Sequence, residues 1–171
     1  PNASGHKFNV GGLVGQSKAN IKINSVNVSS TIQGSNYESN VGTLIGLANT
    51  GEIENVIVYP SINILNNILS DKQNAKTLNV STFVGSVVNT DDTLNILNSK
   101  VYYVKDLIED WQQALGVVIN TPNNTVNFGS YAGSALANRL LIQYSYVRSF
   151  YNENSSNYYG DIYVNSANTS R

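Results

Sequence analysis

Acidic side chains are the residues of this chain whose types could carry out a reaction. A pair of carboxylates cleaves a glycosidic bond when one acts as an acid and the other as a base or nucleophile. Acidic residues are also favoured in polar turns and near helix N-termini, and each candidate here fits one of those settings. We therefore expect no catalytic residue and keep a polysaccharide-cleaving β-helix enzyme as the alternative. The candidates are Glu52 with Glu54, Asp91 with Asp92, and Asp106 with Glu109 and Asp110.

Histidine and cysteine are nearly absent from the sequence. His6 is the single histidine, and the chain has no cysteine. His6 is therefore the only histidine that could act as a base for a serine nucleophile, and the sequence lacks the histidines and cysteines that usually bind zinc. No phosphate-binding loop or EF-hand spacing is present. We expect neither a metal nor a cofactor.

Tyrosine and asparagine offer binding and modification instead of catalysis. The chain has 11 tyrosines, and aromatic rings contact both proteins and carbohydrates. We predict a partner-binding face at Tyr144, Tyr146 and Tyr151, against the simpler interpretation that tyrosine is common in strands. Among the Asn-x-Ser/Thr triplets, Asn123 and Asn154 fall in predicted loops, and we predict glycosylation there.

The composition indicates a surface of uncharged polar groups. Charged residues make up 12% of the chain and the net charge is −1, whereas asparagine alone occurs 27 times. This balance provides no basic patch for nucleic acid and favours an extracellular or cell-surface protein. No apolar run approaches the roughly 18 residues of a membrane span, so we expect no membrane insertion by this segment. Because methionine is absent, even at position 1, we expect a fragment or processed piece of a larger protein.

A seven-residue motif that occurs four times must position these side chains. Each copy begins with Asn, ends with Gly and has small residues at its centre, and the spacings are 31, 39 and 48 residues. We predict that each copy forms a strand, and that the apolar segment after each copy forms one second strand. The copies are Asn9–Gly15, Asn40–Gly46, Asn79–Gly85 and Asn127–Gly133; the second strands are 21–28, 53–58, 94–101 and 140–147; one more strand is predicted at 158–164.

Such a repeat predicts an all-β fold, a right-handed parallel β-solenoid of about four irregular repeats in one domain spanning 1–171. The repeats lie near 8–39, 40–77, 78–125 and 126–164. We expect the opening asparagines Asn9, Asn40, Asn79 and Asn127 to hydrogen-bond as a ladder. We expect the closing glycines Gly15, Gly46, Gly85 and Gly133 at a corner with φ > 0. Val14, Ile45, Val84 and Ala132 should form one interior column, and a β-branched residue should be worse at Gly46 than at Gly51.

One short inserted helix is predicted near 104–117. Leu107, Ile108, Trp111 and Leu115 share one face at helical spacing, and Gly116 can end the helix. We predict that the Trp111 side chain packs this helix against a sheet.

The motif resembles the GLUG repeat, named for Gly-Leu-any-Gly. Gly12-Leu13-Val14-Gly15 matches it fully, whereas the later copies keep only the final glycine. The spacing of Ile53, Asn55 and Val58 is also GLUG-like. The resemblance implies a secreted or surface-attached β-solenoid without catalytic residues.

The sequence therefore predicts a non-enzymatic structural or adhesive repeat module. Its expected partners are a protein or carbohydrate at a cell surface, or copies of itself. Besides the polysaccharide-cleaving enzyme, the remaining alternative is a self-assembling filament or coat subunit, because the end strands of a solenoid have unpaired edges.

Overall fold

The chain forms short strands joined by bends in all the parts that the structure describes. A computed structural model describes residues 7–35, 38–65, 76–89, 92–103, 116–120, 125–136, 138–149 and 161–165. No helix occurs among these residues, and every pairing between their strands is parallel. The predicted all-β class and the parallel pairing of repeats are confirmed.

Each repeat contributes one layer of strands, and the layers stack on one another. Layer 1 contains β1 (Phe8–Gly11), β2 (Val14–Gln16), β3 (Ile21–Asn24) and β4 (Asn27–Ser35). Layer 2 contains β5 (Ser39–Gly42), β6 (Ile45–Ala48), β7 (Gly51–Glu54) and β8 (Ile57–Leu65).

The later layers depart from this pattern at two points. Layer 3 contains β9 (Thr77–Ser81), β10 (Val84–Val87), β11 (Leu94–Leu97), β12 (Lys100–Tyr103) and β13 (Gly116–Asn120). In layer 4 a single strand, β14 (Thr125–Ala135), replaces the first two strands, and β15 (Leu140–Gln143) and β16 (Tyr146–Ser149) follow. The last strand, β17 (Asp161–Asn165), lies beside β14, close to the strand predicted at 158–164.

Equivalent strands of successive layers form three sheets. The first sheet has eight strands, in the order β1-β5-β9-β14-β10-β6-β2 with β17 beside β14. The second has the order β15-β11-β7-β3, and the third has the order β13-β8-β12-β16 with β4 beside β8. All these pairings join different layers, so no described layer is stable through its own hydrogen bonds alone.

Identical or similar side chains stack in columns between the sheets and make the core. Ile23, Ile53, Ile96 and Ile142 pair in register, and so do Val28, Val58, Val101 and Val147. The predicted column of Val14, Ile45, Val84 and Ala132 is confirmed by its register, and its last three members are fully buried. Columns of this kind bury apolar surface continuously along the stack.

The predicted second strands are wrong in one respect, because each is two strands that meet at a corner. The residues between them adopt a left-handed conformation: Ser25, Asn55, Asn98 and Tyr144. A single residue with φ > 0 turns the chain sharply, so the second sheet ends and the third sheet begins there.

The predicted corner position of the closing glycines is also wrong. Gly15, Gly46, Gly85 and Gly133 lie inside strands, and Gly51 is the one described glycine with positive φ, at 139°. The closing glycines are needed for close approach instead. A Cβ on Gly46 would lie 2.5 Å from the Val10 nitrogen and 2.7 Å from the Gly15 oxygen, both in the layer before it.

The segment predicted as a helix interrupts one strand of the third sheet. Residues 104–115, including Leu107 and Trp111, lie outside the described residues, but Gly116 and Val117 begin β13 and are not helical. Val58 pairs with Val101, 43 positions later, whereas Ile62 pairs with Val117, 55 positions later. β12 and β13 therefore continue one ladder along β8, and the 12 residues 104–115 are inserted into it. The β-branched run from Val117 to Ile119 favours this strand.

Candidate binding surface

Tyr144 combines a left-handed backbone conformation with an exposed aromatic ring. It is the layer 4 member of the corner column, with a φ of 52°. A left-handed conformation costs an ordinary L-residue about 1–2 kcal/mol, whereas asparagine tolerates it well. The ring is 86% exposed, so packing within the chain does not offset this cost. An outlier of this kind, with no structural compensation, points to a functional role.

The two corner asparagines hydrogen-bond to each other and to Asn24, the residue before the layer 1 corner. The Asn98 Nδ2 donates to the Asn55 Oδ1 at 2.6 Å, and the Asn55 Nδ2 donates to the Asn24 Oδ1 at 3.5 Å. Layer 4 has Tyr144 where a further asparagine would extend this ladder. Layer 4 therefore lacks the side-chain hydrogen bond of this corner and has the exposed Tyr144 ring there.

A row of three tyrosines follows Tyr144 on the outer face of the third sheet. The ring centroids of Tyr59 and Tyr102 lie 5.8 Å apart, and those of Tyr102 and Tyr146 lie 6.1 Å apart. The hydroxyls of Tyr102 and Tyr146 are hydrogen-bonded at 2.9 Å, and the Lys100 Nζ lies 5.5 Å from the Tyr146 ring centroid. This arrangement presents aromatic faces, hydroxyls and one cation on adjacent layers, a combination that suits carbohydrates and protein side chains alike.

Tyr131 fixes the backbone behind this surface. Its hydroxyl oxygen lies 2.8 Å from the Ser99 carbonyl oxygen and 2.9 Å from the Tyr146 carbonyl oxygen, and its one proton is shared between them. Its ring packs on Phe83, with centroids 5.2 Å apart. Burial raises the pKa of the Tyr131 phenol far above its usual range. The side chain therefore stays a neutral donor that ties the first sheet to the third.

The opening asparagines of the four repeats form a second ladder. The Nδ2 atoms of Asn127, Asn79 and Asn40 each donate to the asparagine Oδ1 of the layer before, at 2.9, 2.8 and 2.8 Å respectively, and the ladder ends at Asn9. Asn79 also begins an Asn-x-Ser triplet, but its amide is engaged on both sides. The predicted acceptor sites Asn123 and Asn154 lie outside the described residues.

The structure brings two of the candidate carboxylates to one groove. Glu52 and Asp92 line a polar groove of about 120 Å³ together with Lys22 and Asn95. Glu54 accepts a hydrogen bond from the Asn24 Nδ2 at 3.1 Å instead. Asp91, Asp106, Glu109, Asp110, His6 and Tyr151 lie outside the described residues.

Within the described ranges, no three His, Cys, Asp or Glu side chains come together as a metal site. No helix long and apolar enough to cross a membrane was found in those ranges.

Tyr59 and Tyr102 of this row, and Lys100 beside it, were not predicted from the sequence. A signal was available, because Tyr59 and Tyr102 each directly follow a valine of one buried column, Val58 and Val101. Side chains alternate between the faces of a strand, so the residue after a buried valine points outward.

Comparison of the chain with family models, with curated proteins and with solved structures returns no match.

Proposed function

We propose that the chain is a non-enzymatic adhesive repeat module of the GLUG type, a right-handed parallel β-solenoid that acts outside the cell. The stacked layers serve as a rigid support, and Tyr144 with the tyrosine row contacts a protein or carbohydrate at a cell surface. The near-neutral charge argues against nucleic acid as a partner. The parallel register of the repeats supports the solenoid, and the right-handed turn follows the general rule for parallel connections.

The observation that carries this proposal is the exposed ring of Tyr144 in a left-handed backbone. The equivalent corner residue is asparagine in layers 2 and 3 and serine in layer 1, both small polar residues, and asparagine tolerates a left-handed conformation well. Stability is commonly sacrificed where a side chain is needed for binding. The adhesive function therefore predicts opposite effects of one substitution on stability and on binding.

The test is the Tyr144→Asn variant. Asparagine relieves the backbone strain and places an amide next to Asn98, so we expect the free energy of unfolding to rise by about 1 kcal/mol. Binding to a glycan array and to immobilised matrix proteins should fall about tenfold or more, as for a lost aromatic anchor. Val88→Asn, which also removes an exposed apolar side chain, is the control and should leave binding unchanged. Unchanged binding by Tyr144→Asn would refute the assigned surface.

Polysaccharide cleavage is the second candidate function, because Glu52 and Asp92 line one groove. Two carboxylates line this groove, and glycosidic cleavage uses a pair of carboxylates. We expect incubation with a polysaccharide panel to release no shorter chains. Release that disappears in Glu52→Gln or Asp92→Asn, or in amide variants of Asp91, Asp106 or Glu109, would overturn the non-enzymatic proposal.

A further inference from the structure

The third sheet differs from the other two sheets in the charges that its strands contain. Its described strands, β4, β8, β12, β13 and β16, contain two charged residues, Lys100 and Arg148, and both are basic. The carboxylates that occur in described strands, Glu52, Glu54 and Asp161, belong to the other two sheets. The whole chain has a net charge of −1, so the positive charge of the third sheet is a local feature.

Both basic residues are in register with members of the tyrosine row. Lys100 pairs with Tyr146, and Arg148 pairs with Tyr102, in one parallel ladder. The Lys100 Nζ lies 5.5 Å from the centroid of the Tyr146 ring. Strands of neighbouring layers are only about 4.8 Å apart, so a ligand that rests on one of these rings has a lysine cation within reach. The row therefore combines aromatic contact with positive charge.

The outer face around the row is polar, which favours a glycan over a protein as the occupant. Ser29 and Thr31 of β4 and Ser61 and Asn63 of β8 alternate with buried residues, so their side chains lie on this outer face. The core of a protein–protein interface is depleted in serine and in charged residues. A sugar ring, in contrast, presents a C–H face to an aromatic ring and hydroxyls to the polar groups beside it.

The direction of the row fits a polymer instead of a single sugar. Tyr59, Tyr102 and Tyr146 come from layers 2, 3 and 4, with ring centroids 5.8 Å and 6.1 Å apart. The row thus offers about one aromatic ring per layer, and it runs along the stack instead of along a strand. A chain of identical sugar units can place successive units on successive layers.

We propose that the tyrosine row binds an acidic polysaccharide, a chain of uronic acid units that runs along the stack with a carboxylate at Lys100. The rings provide contact that any glycan can use, and the positive charge selects the acidic ones, since a carboxylate forms a charge-assisted hydrogen bond with an ammonium group. The inference rests on the proposed adhesive function and names the class of its partner.

The first experiment compares oligogalacturonate with its methyl ester, because esterification removes the charge and keeps the sugar rings. Calorimetry with the 171-residue chain measures both dissociation constants at low salt, and oligomers of glucuronate and guluronate with their esters complete the panel. We expect at least one acid to bind about tenfold or more tightly than its ester. The difference should shrink at about 1 M salt, where the Debye length is about 3 Å.

The second experiment removes the lysine cation. Lys100→Gln should raise the dissociation constant for the acid about tenfold and leave that for the ester unchanged, whereas Lys100→Arg should keep the preference for the acid. Lys18→Gln is the matched control, because Lys18 is exposed and lies outside the third sheet, and it should bind like the parent chain. Equal effects of Lys100→Gln and Lys18→Gln would overturn the assigned role of Lys100.

Poly-glutamate and the Tyr144→Asn variant separate failure of this inference from failure of the adhesive function. Poly-glutamate carries carboxylates without sugar rings and should bind about tenfold more weakly than the best acid. Equal binding of poly-glutamate, equal binding of acids and esters, or no binding of any acid would each overturn the acidic polysaccharide. If Tyr144→Asn still weakens binding of another partner in those cases, the adhesive function stands, whereas glycan binding that Tyr144→Asn leaves unchanged refutes the assigned surface.

Discussion

The closing glycines occupy one column, but the same physical reason does not require glycine at every position in it. Gly46, Gly85 and Gly133 are held by backbone of the preceding layer, but Gly15 is not. Sequence periodicity identified the column but not its cause, because a glycine at a corner and a glycine at a close approach give the same pattern. Distinguishing them requires the distance to the neighbouring layer.

The first prediction compares alanine at positions 46 and 15. Gly46→Ala forces a methyl group against the Val10 nitrogen and the Gly15 oxygen, so we expect a loss of about 3 kcal/mol in the free energy of unfolding. Gly15→Ala should cost less than about 1 kcal/mol. Urea unfolding measures both, and equal costs would contradict the close approach.

The structure gives no reason for a β-branched residue to be more destabilising at Gly46 than at Gly51, as the sequence had predicted. Gly51 has a φ of 139°, and a Cβ there would collide with the Ile21 oxygen. Any substitution at Gly51 is therefore strained as well. We now expect Gly51→Ala to be as damaging as Gly46→Ala in the same unfolding experiment.

The second prediction concerns the buried phenol of Tyr131. Its pKa is raised in the folded state, so the unfolded chain releases this proton first, near pH 10. The contribution of Tyr131 to stability is thus fully present below about pH 10. Above that pH it falls by about 1.4 kcal/mol per pH unit, until the pKa of the folded state is reached.

Tyr131→Phe tests this prediction. We expect the variant to lose about 1 kcal/mol at pH 7, since the Ser99 and Tyr146 carbonyls lose their donor. It should also lose the alkaline decline that Tyr131 causes. Parallel stability curves for the variant and the parent chain from pH 8 to pH 11, measured by urea unfolding, would contradict the role of the buried phenol.

At the scale of elements, the sequence predicted the strands but joined those that flank a corner. Residues 53–58 read as one strand because Ile53 and Val58 are both apolar and no glycine or proline separates them. The corner residue is Asn55, which accepts a left-handed conformation without a Cβ clash severe enough to exclude it. The recurrence of asparagine at 55 and 98 was the available signal, and Tyr144 concealed the corner in layer 4.

The third prediction concerns the segment 104–115. Because β12 and β13 continue one ladder along β8, joining residue 103 to residue 116 should preserve the stack. We expect a thermal midpoint close to that of the parent chain. The control deletes one residue more, 104–116, which shifts the register of β13 against β8 by one position, and a slip of one residue exchanges the two faces of a strand. Equal stability of both deletions would show that the register of β13 is unimportant.

At the scale of the whole molecule, the stack itself was predictable because its motif carries its own register. Aligned Asn and Gly residues placed the four repeats, and the parallel pairing of Asn9, Asn40, Asn79 and Asn127 follows that alignment. The proposed binding surface was less predictable. Tyr146 was identified by residue type, but Tyr102 and Tyr59 lie 44 and 87 positions before it in the chain, and the three rings meet only after stacking.

The fourth prediction follows from the position of each layer in the stack. Ile53 pairs with layers on both sides and is fully buried, whereas Ile23 pairs on one side among the described residues and is 7% exposed. Ile53→Ala should therefore cost about 3 kcal/mol, and Ile23→Ala about 1 kcal/mol less. Thermal unfolding measures both costs, and an equal loss would indicate that layer 1 is as tightly packed as layer 2.

The absence of pairing inside any described layer has a consequence for the time at which the chain can fold. Asn9 finds its partner only when Asn40 has been synthesised, 31 residues later. At about 5–20 residues per second, a repeat with this spacing waits a few seconds beside the ribosome before the layer that follows it can pair with it. Nascent chains arrested after residue 35 should accordingly be digested by protease, whereas chains arrested well after residue 90 should resist it. The growing polypeptide depends on chaperones most during that interval, when its apolar strands are complete but still alone.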